Sequence, residues 1–303
     1  MTQDTSKQLW GDEADERVRY GKGFHWVESP IVAQYINRNI TGDPAMNWVA
    51  HSADRYLKGR IRPKILSLGC GGGALERDLS RLLPDAQLQG MDFSAGAIAL
   101  ARERDAQADL RIDYVVSDLN EVNLEPHRYD AVFASGALHH VGALDRLLAR
   151  VHDSLVPNGA LIANEYVGPN QLQWSPAQVE AINEVLAILP DRYLRRISDP
   201  ADFKRRFLGP SPIEWMNQHD PSEAARSEEI IPLVQSMFEV VELKPFGGTL
   251  LHMLLQDIVG NFNPASEAND CILRLICHLE WKLITAGVLT SDFAYFVARP
   301  RTS

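Results

Sequence analysis

The sequence predicts an α/β fold, a mostly parallel sheet with helices on its faces, and three observations carry that expectation. Apolar runs of strand length alternate with amphipathic runs of helix length across residues 60–167, the first run ends in a glycine-dense turn, and carboxylates end the second and third runs. The first run is Lys64-Ile-Leu-Ser-Leu68; Gly69-Cys-Gly-Gly-Gly73 follows, and Ala74-Leu75 opens an amphipathic segment. Glycines at 69, 71 and 73 admit backbone angles closed to residues with a Cβ, and let the main chain approach a ligand closely at a helix N-terminus.

The second run, Gln87-Leu-Gln-Gly-Met-Asp92, ends in a carboxylate that can accept hydrogen bonds from ribose hydroxyls, with Phe93 beside it. The third, Ile112–Ser117, leads into Asp118-Leu119, where a carboxylate can accept from an adenine amino group. Tyr129–Ser135 is the fourth, and it opens into Gly-Ala-Leu-His-His, which carries His139 and His140. A helical pattern from Leu147, the turn Pro157-Asn-Gly159 and the run Ala160–Glu165 complete this part of the chain. The glycine turn alone fits both a nicotinamide dinucleotide and S-adenosylmethionine (SAM), because Gly69-x-Gly71-x-x-Ala74 also satisfies the dinucleotide fingerprint.

In their order and spacing these motifs resemble the class I SAM-dependent methyltransferases over about residues 60–167. The resemblance implies a Rossmann-like, seven-stranded, mostly parallel sheet whose last strand, Asp292–Ala298, re-enters antiparallel. It also implies SAM as cofactor, held by Gly69, Cys70, Gly71, Asp92, Phe93, Asp118, Leu119 and Ser135, with Tyr20 reaching in from the amino-terminal segment. One position departs from the family's pattern. Ser67 stands where an acidic residue is usual, so a hydroxyl replaces a charge and other groups must compensate.

Outside the core the chain divides into an aromatic-rich segment 1–59, expected to be a helical cap or lid, an insertion 168–235 expected to cover the substrate, and residues 236–303 with further strands and a helical insertion at 247–290. Gly21 and Gly23 are expected to loosen the backbone of the lid. The basic residues Arg192, Arg195, Arg196, Lys204, Arg205 and Arg206 are expected on a solvated helix face. Cys70, Cys271 and Cys277 are odd in number and lack metal-ligand spacing, so neither a disulfide nor a zinc role is expected, and Cys70 should pack as a small apolar side chain.

With 40 acidic against 30 basic residues and a net charge of −10, the chain is a poor match for a phosphate backbone, so nucleic acid is not expected as a partner. The amino terminus is polar and no run is long enough to span a bilayer, which predicts a cytoplasmic protein without membrane contact. The expected partner is a small-molecule acceptor; a homodimer is left open.

The resemblance extends to sugar O-methyltransferases of glycan and natural-product tailoring, in which a His-His pair follows the fourth strand and an acidic residue ends the fifth. It implies His140 as general base, His139 as its substitute or positioning partner and Glu165 as the group that orients a histidine or the substrate. Tyr166, His252 and Trp26 are expected around the acceptor, and no metal is expected. N-methylation of a small amine and a non-catalytic SAM-binding module are the alternatives, with a dehydrogenase behind them.

Overall fold

The structure, a computed structural model, describes residues 22–301. Strand β1 (Lys64–Leu68) leads through the glycine loop into helix α3 (Ala74–Leu82), and β2 (Gln87–Asp92), α4 (Ala95–Gln107), β3 (Asp113–Val116) and β4 (Tyr129–Ser135) follow. Then come α5 (Leu144–Ser154) and β5 (Leu155–Tyr166). Two helices precede β1: α1 (Pro30–Thr41), capped by the Ser29 hydroxyl with proline at its start, and the short α2 (Trp48–Ser52). The insertion after β5 supplies α6 (Pro176–Ile188), α7 (Ile213–His219) and α8 (Ile230–Met237). The chain then forms β6 (Phe238–Gly247), the short α9 (Leu251–Leu255), α10 (Glu267–Thr285) and β7 (Phe293–Pro300).

The seven strands form one sheet in the order β3-β2-β1-β4-β5-β7-β6. β1 to β5 pair in parallel, and β7 runs antiparallel to both β5 and β6, as the resemblance implied. Ile65, Phe133, Ile162 and Tyr295 face one layer with Leu79 of α3 and the apolar side of α1, while Leu66, Val132, Leu161 and Phe296 face the other, covered by Leu144, Leu147, Leu148 and Val151 of α5. Both faces are therefore buried, which explains the near-continuous apolar runs of these strands. The Pro-Asn-Gly turn does not interrupt β5. The register jumps between Tyr129 and Ala131 of β4, and Asn158 takes φ 66°, so the extra residues are absorbed as an irregularity within the pairing.

Two expectations are corrected. Gly23 does not loosen the amino-terminal segment. It sits at φ +91°, its carbonyl accepts from Gly260 N–H at 2.9 Å, and a Cβ there would stand 2.6 Å from the Gly260 Cα, so glycine is required for close docking. The basic stretch is not a solvated helix face either. Arg195 and Phe203 form an isolated bridge, Arg196 pairs with Asp257 at 2.9 Å, and Lys204 is buried with its ammonium donating to the carbonyls of Met253 and Gln256 at 2.5 and 2.6 Å. Those carbonyls belong to the C-terminal end of α9, where a cation is favoured.

Candidate active site

The carboxyl ends of parallel strands form the ligand crevice of open α/β sheets, and here the order reverses between β1 and β4. Asp92 ends β2, Ser135 ends β4, and Glu165 and Tyr166 end β5, while Asp118 lies just past β3. The expected cofactor and catalytic residues therefore meet along one edge of the sheet. Tyr20 lies outside the described residues.

The glycine loop is shaped by close contacts on one side and open space on the other. Gly69 takes φ +65°, and a Cβ there would stand 2.5 Å from the Ala137 Cβ, so the loop lies directly against the turn that carries the histidines. Gly71 takes φ +50° with no atom within 4 Å of a Cβ position, and its N–H donates to Asp92 at 2.9 Å. The other oxygen of Asp92 accepts from Ser94 N–H at 2.9 Å. Burial pushes the Asp92 carboxyl up from its ordinary value, and bonds from the Ser94, Gly71 and Phe93 backbone oppose that rise. Each carboxylate oxygen has a second lone pair, so a loop with an open side and a fixed acceptor beside it fits the ribose end of an adenosyl cofactor. Asp118 holds the backbone and side-chain amide of Asn120, both at 2.9 Å, and Asn120 in turn accepts from Ala143 N–H at 2.9 Å, which ties the loop after β3 to the loop after β4. Cys70 packs under the loop with Ile98, Ala101 and Tyr114, and burial pushes its thiol well above the usual range.

Glu165 organises the histidine turn. It is 1% exposed; one carboxylate oxygen accepts from Ala137 N–H at 2.8 Å and Leu138 N–H at 2.9 Å, and the other lies 2.9 Å from His139 Nδ1. An ionised carboxylate can only accept, so Nδ1 carries the hydrogen and Nε2 is left with its lone pair. That Nε2 stands 3.9 Å from one oxygen of Glu223, and His140 Nε2 stands 3.8 Å from the other. The two imidazoles are 4.1 Å apart, centroid to centroid. Burial disfavours charge on His139, but the Glu165 hydrogen bond and charge, with Glu223 and Asp220 behind them, outweigh it and raise its pKa. His140 goes the other way, held well below the ordinary imidazole value by burial and by the charge of His139.

His139, His140 and Glu223 bring three donor atoms within 4.8 Å of one another, a set that sequence reading did not assemble. Glu223 and Asp220 were missed because they lie in the insertion, and nothing in Asp220-Pro-Ser-Glu223 distinguishes them from other surface acids. The insertion reaches the site because its far end folds back on its beginning: Gln171 N–H donates to Ala224 C=O at 2.7 Å, and the Ser227 hydroxyl donates to Gly168 C=O at 2.8 Å.

Next to the histidines stands an aromatic wall. Tyr166 lies 6.1 Å from His139 and 5.4 Å from Phe293; Trp26 and His252 each lie 5.4 Å from Phe293; and Trp174 lies 6.3 Å from His252. The expected acceptor-side residues Tyr166, His252 and Trp26 are thus brought together. His252 is a poor proton acceptor in this setting, because burial and then the nearby cations Lys204, His139 and His25 push it down to about 3.

Comparison with known proteins bears on the domain. Residues 65–159 match the family described as methyltransferase domain. That stretch is similar to methyltransferase domains. The chain is 33% identical over 154 residues to an uncharacterised protein of Synechococcus sp., covering 48% of this chain and 36% of the other. It is 34% identical over 110 residues to a ubiquinone biosynthesis O-methyltransferase of Azorhizobium caulinodans, covering 36% of this chain and 42% of that one. The chain thus spans about half or less of the length of these curated relatives. Among solved structures the (4+2)-cyclase SpnF superposes with a TM-score of 0.50 at 14% identity, covering 97% of both chains. That likeness extends to the insertions but concerns the fold alone, since one fold hosts different chemistries. Among the described residues no helix is long and apolar enough to cross a membrane.

Proposed function

We propose that this protein is a methyltransferase that moves the methyl group of SAM to a hydroxyl of a small molecule, a sugar or glycosylated metabolite, with His139 as general base. The observation that carries the proposal is the Glu165–His139 pair at the carboxyl end of β5, 2.9 Å apart and buried.

Bound SAM supplies an electrophilic methyl on a positively charged sulfur; the chain has to align the acceptor, exclude water and take a proton. SAM, when bound, would supply the methyl carbon and take the electrons of its carbon–sulfur bond; the chain's part is to hold the acceptor hydroxyl so that its proton passes to His139 Nε2. Glu165 holds Nδ1–H and stabilises the imidazolium that results, and Glu223, 3.9 Å from Nε2, stabilises it from the other side. The geometry thus favours His139 over His140 for the role that the resemblance gave to His140, because the buried Glu165 carboxylate lies 2.9 Å from His139 Nδ1 and fixes its tautomer. His140, held neutral, packs beside it.

The acidic balance of the chain supports an acceptor other than nucleic acid. The test is a mass-spectrometric screen of sugars, glycosides and phenols incubated with SAM, scored for a gain of one methyl. Gain on hydroxyl acceptors that is lost in His139→Ala supports the reading. Gain only on amines moves the reaction to nitrogen, and SAM binding without any gain makes the chain a binding module.

A further inference from the structure

We propose that Ser67 and Glu76 together form the counter-ion for the α-ammonium group of SAM. The inference rests on the cofactor and extends its site to two residues on the far side of the glycine loop. Glu76 is the third residue of α3, in the first turn after the loop, and is 1% exposed. Both of its carboxylate oxygens and the hydroxyl of Ser67, 2% exposed near the end of β1, are buried with no hydrogen bond of full geometry to any group, and the hydroxyl is near enough to favour the ionised carboxylate. Burying an ionised carboxylate with nothing to balance it is among the costliest arrangements a fold can hold, and such a group takes up a proton unless a cation arrives to meet it.

The groups that face Glu76 do not supply that charge. Ser67 comes from β1, Cys70 from the loop, Asp105 from α4, Tyr114 from β3 and Arg77 from its own helix. Arg77 is turned to Asp105, 3.1 Å away, and the others are neutral or acidic. SAM carries two cationic centres. The sulfonium has no hydrogen to donate, whereas the α-ammonium has three, so the ammonium is the centre that can both neutralise a buried carboxylate and satisfy its oxygens. The hydroxyl of Ser67 has the capacity to accept from the ammonium and donate to Glu76, which satisfies both orphaned groups at once. Ser67, the residue without a charge at its position in β1, is thereby supplied with one from the first turn of the next helix.

A proton effect follows. Burial pushes the Glu76 carboxyl up to about 7, with the Ser67 hydroxyl drawing it back, so an arriving cation favours the ionised form. SAM binding near neutral pH should release a proton, and affinity should rise as the pH is raised through 7.

The experiment measures calorimetric affinity for SAM and for 5′-methylthioadenosine, which lacks the amino-acid portion, on wild type, Glu76→Gln, Ser67→Ala and the double variant Ser67→Asp/Glu76→Gln. Glu76→Gln should weaken SAM about 10- to 100-fold, the range for a lost bond to a charged group, and leave methylthioadenosine unchanged. Ser67→Ala should weaken SAM alone, and the double variant should recover most of the loss. Equal weakening of both ligands, or SAM affinity untouched by Glu76→Gln, overturns the inference while the cofactor stands. A wild type that binds neither ligand overturns the cofactor reading and this inference with it.

Discussion

Glu165 ties the fifth strand to the histidine turn and fixes the proton of His139 in the same step: one oxygen takes two backbone N–H groups at 2.8 and 2.9 Å, the other takes Nδ1 at 2.9 Å. A carboxylate that does both should separate structure from chemistry when it is altered conservatively. Glu165→Gln keeps an oxygen for Ala137 and Leu138 but presents an amide NH₂ to Nδ1, which forces the proton onto Nε2 and removes the base. The variant should stay folded and bind SAM, and lose most of its turnover. Glu165→Ala should also lose stability, by about 1–3 kcal/mol for each buried N–H left without its acceptor. Thermal melts beside single-turnover rates distinguish the two.

The two histidines should differ in weight. His139→Ala should lower kcat about 10²–10⁴-fold, the usual range for a positioned base, with SAM affinity little changed. His140→Ala should cost markedly less, since burial and the charge of His139 hold His140 well below the ordinary imidazole value and keep it neutral. Rates of both variants under saturating SAM check this, and a larger loss at His140 would return the base to that residue.

Chelation should leave the rate unchanged. His139, His140 and Glu223 could seat a divalent ion by distance alone, but the proposed reaction uses His139 Nε2 as its proton acceptor. Turnover after treatment with EDTA, then with added Mg²⁺, Mn²⁺ or Zn²⁺, is the measurement. A rate that collapses and is restored by one ion would make the cluster a metal site.

Asp292 should make the fold less stable in mild alkali. It is 1% exposed, accepts from Gln178 at 2.7 Å, and burial raises its pKa from 3.8 to about 7. Between those values the folded chain holds a proton that the unfolded chain has released, so this group's contribution falls as the pH rises from about 4 to 7. Asp292→Asn should therefore melt above wild type at pH 8 and converge with it near pH 4, which calorimetric melts at the two pH values will show.

The parallel core was legible because its determinants are local. Strand runs such as residues 65–68 and 131–134 are buried on both faces and so read as almost wholly apolar, and positive φ at Gly69, Gly71 and Gly73 demands glycine where the chain has it. Glu165 and His139 stood out because they follow adjacent strands of one sheet. Glu223 did not, since it reaches the histidines through the fold-back of Ala224 and Ser227 onto the start of the insertion. Lys204 misled for the opposite reason. Its basic neighbours Arg205 and Arg195 are exposed, but Lys204 itself is drawn inward to cap α9, and a charge run does not reveal which of its members a distant helix end will bury. Glu280 is similar: its bonds to Gly248, Leu250 and Leu251 N–H join α10 to the start of α9 across the insertion.

The pH dependence of methyl transfer to an acceptor from the screen tests the central claim most directly. Glu165 raises the pKa of His139 and burial lowers that of His140, so the two candidate bases titrate on opposite sides of the ordinary imidazole value of about 6.5. If His139 is the base, the single-turnover rate rises with pH and its midpoint lies above that value, and Glu165→Gln abolishes the titration. A midpoint well below it that survives Glu165→Gln, or a rate with no titration in this range, would contradict the account.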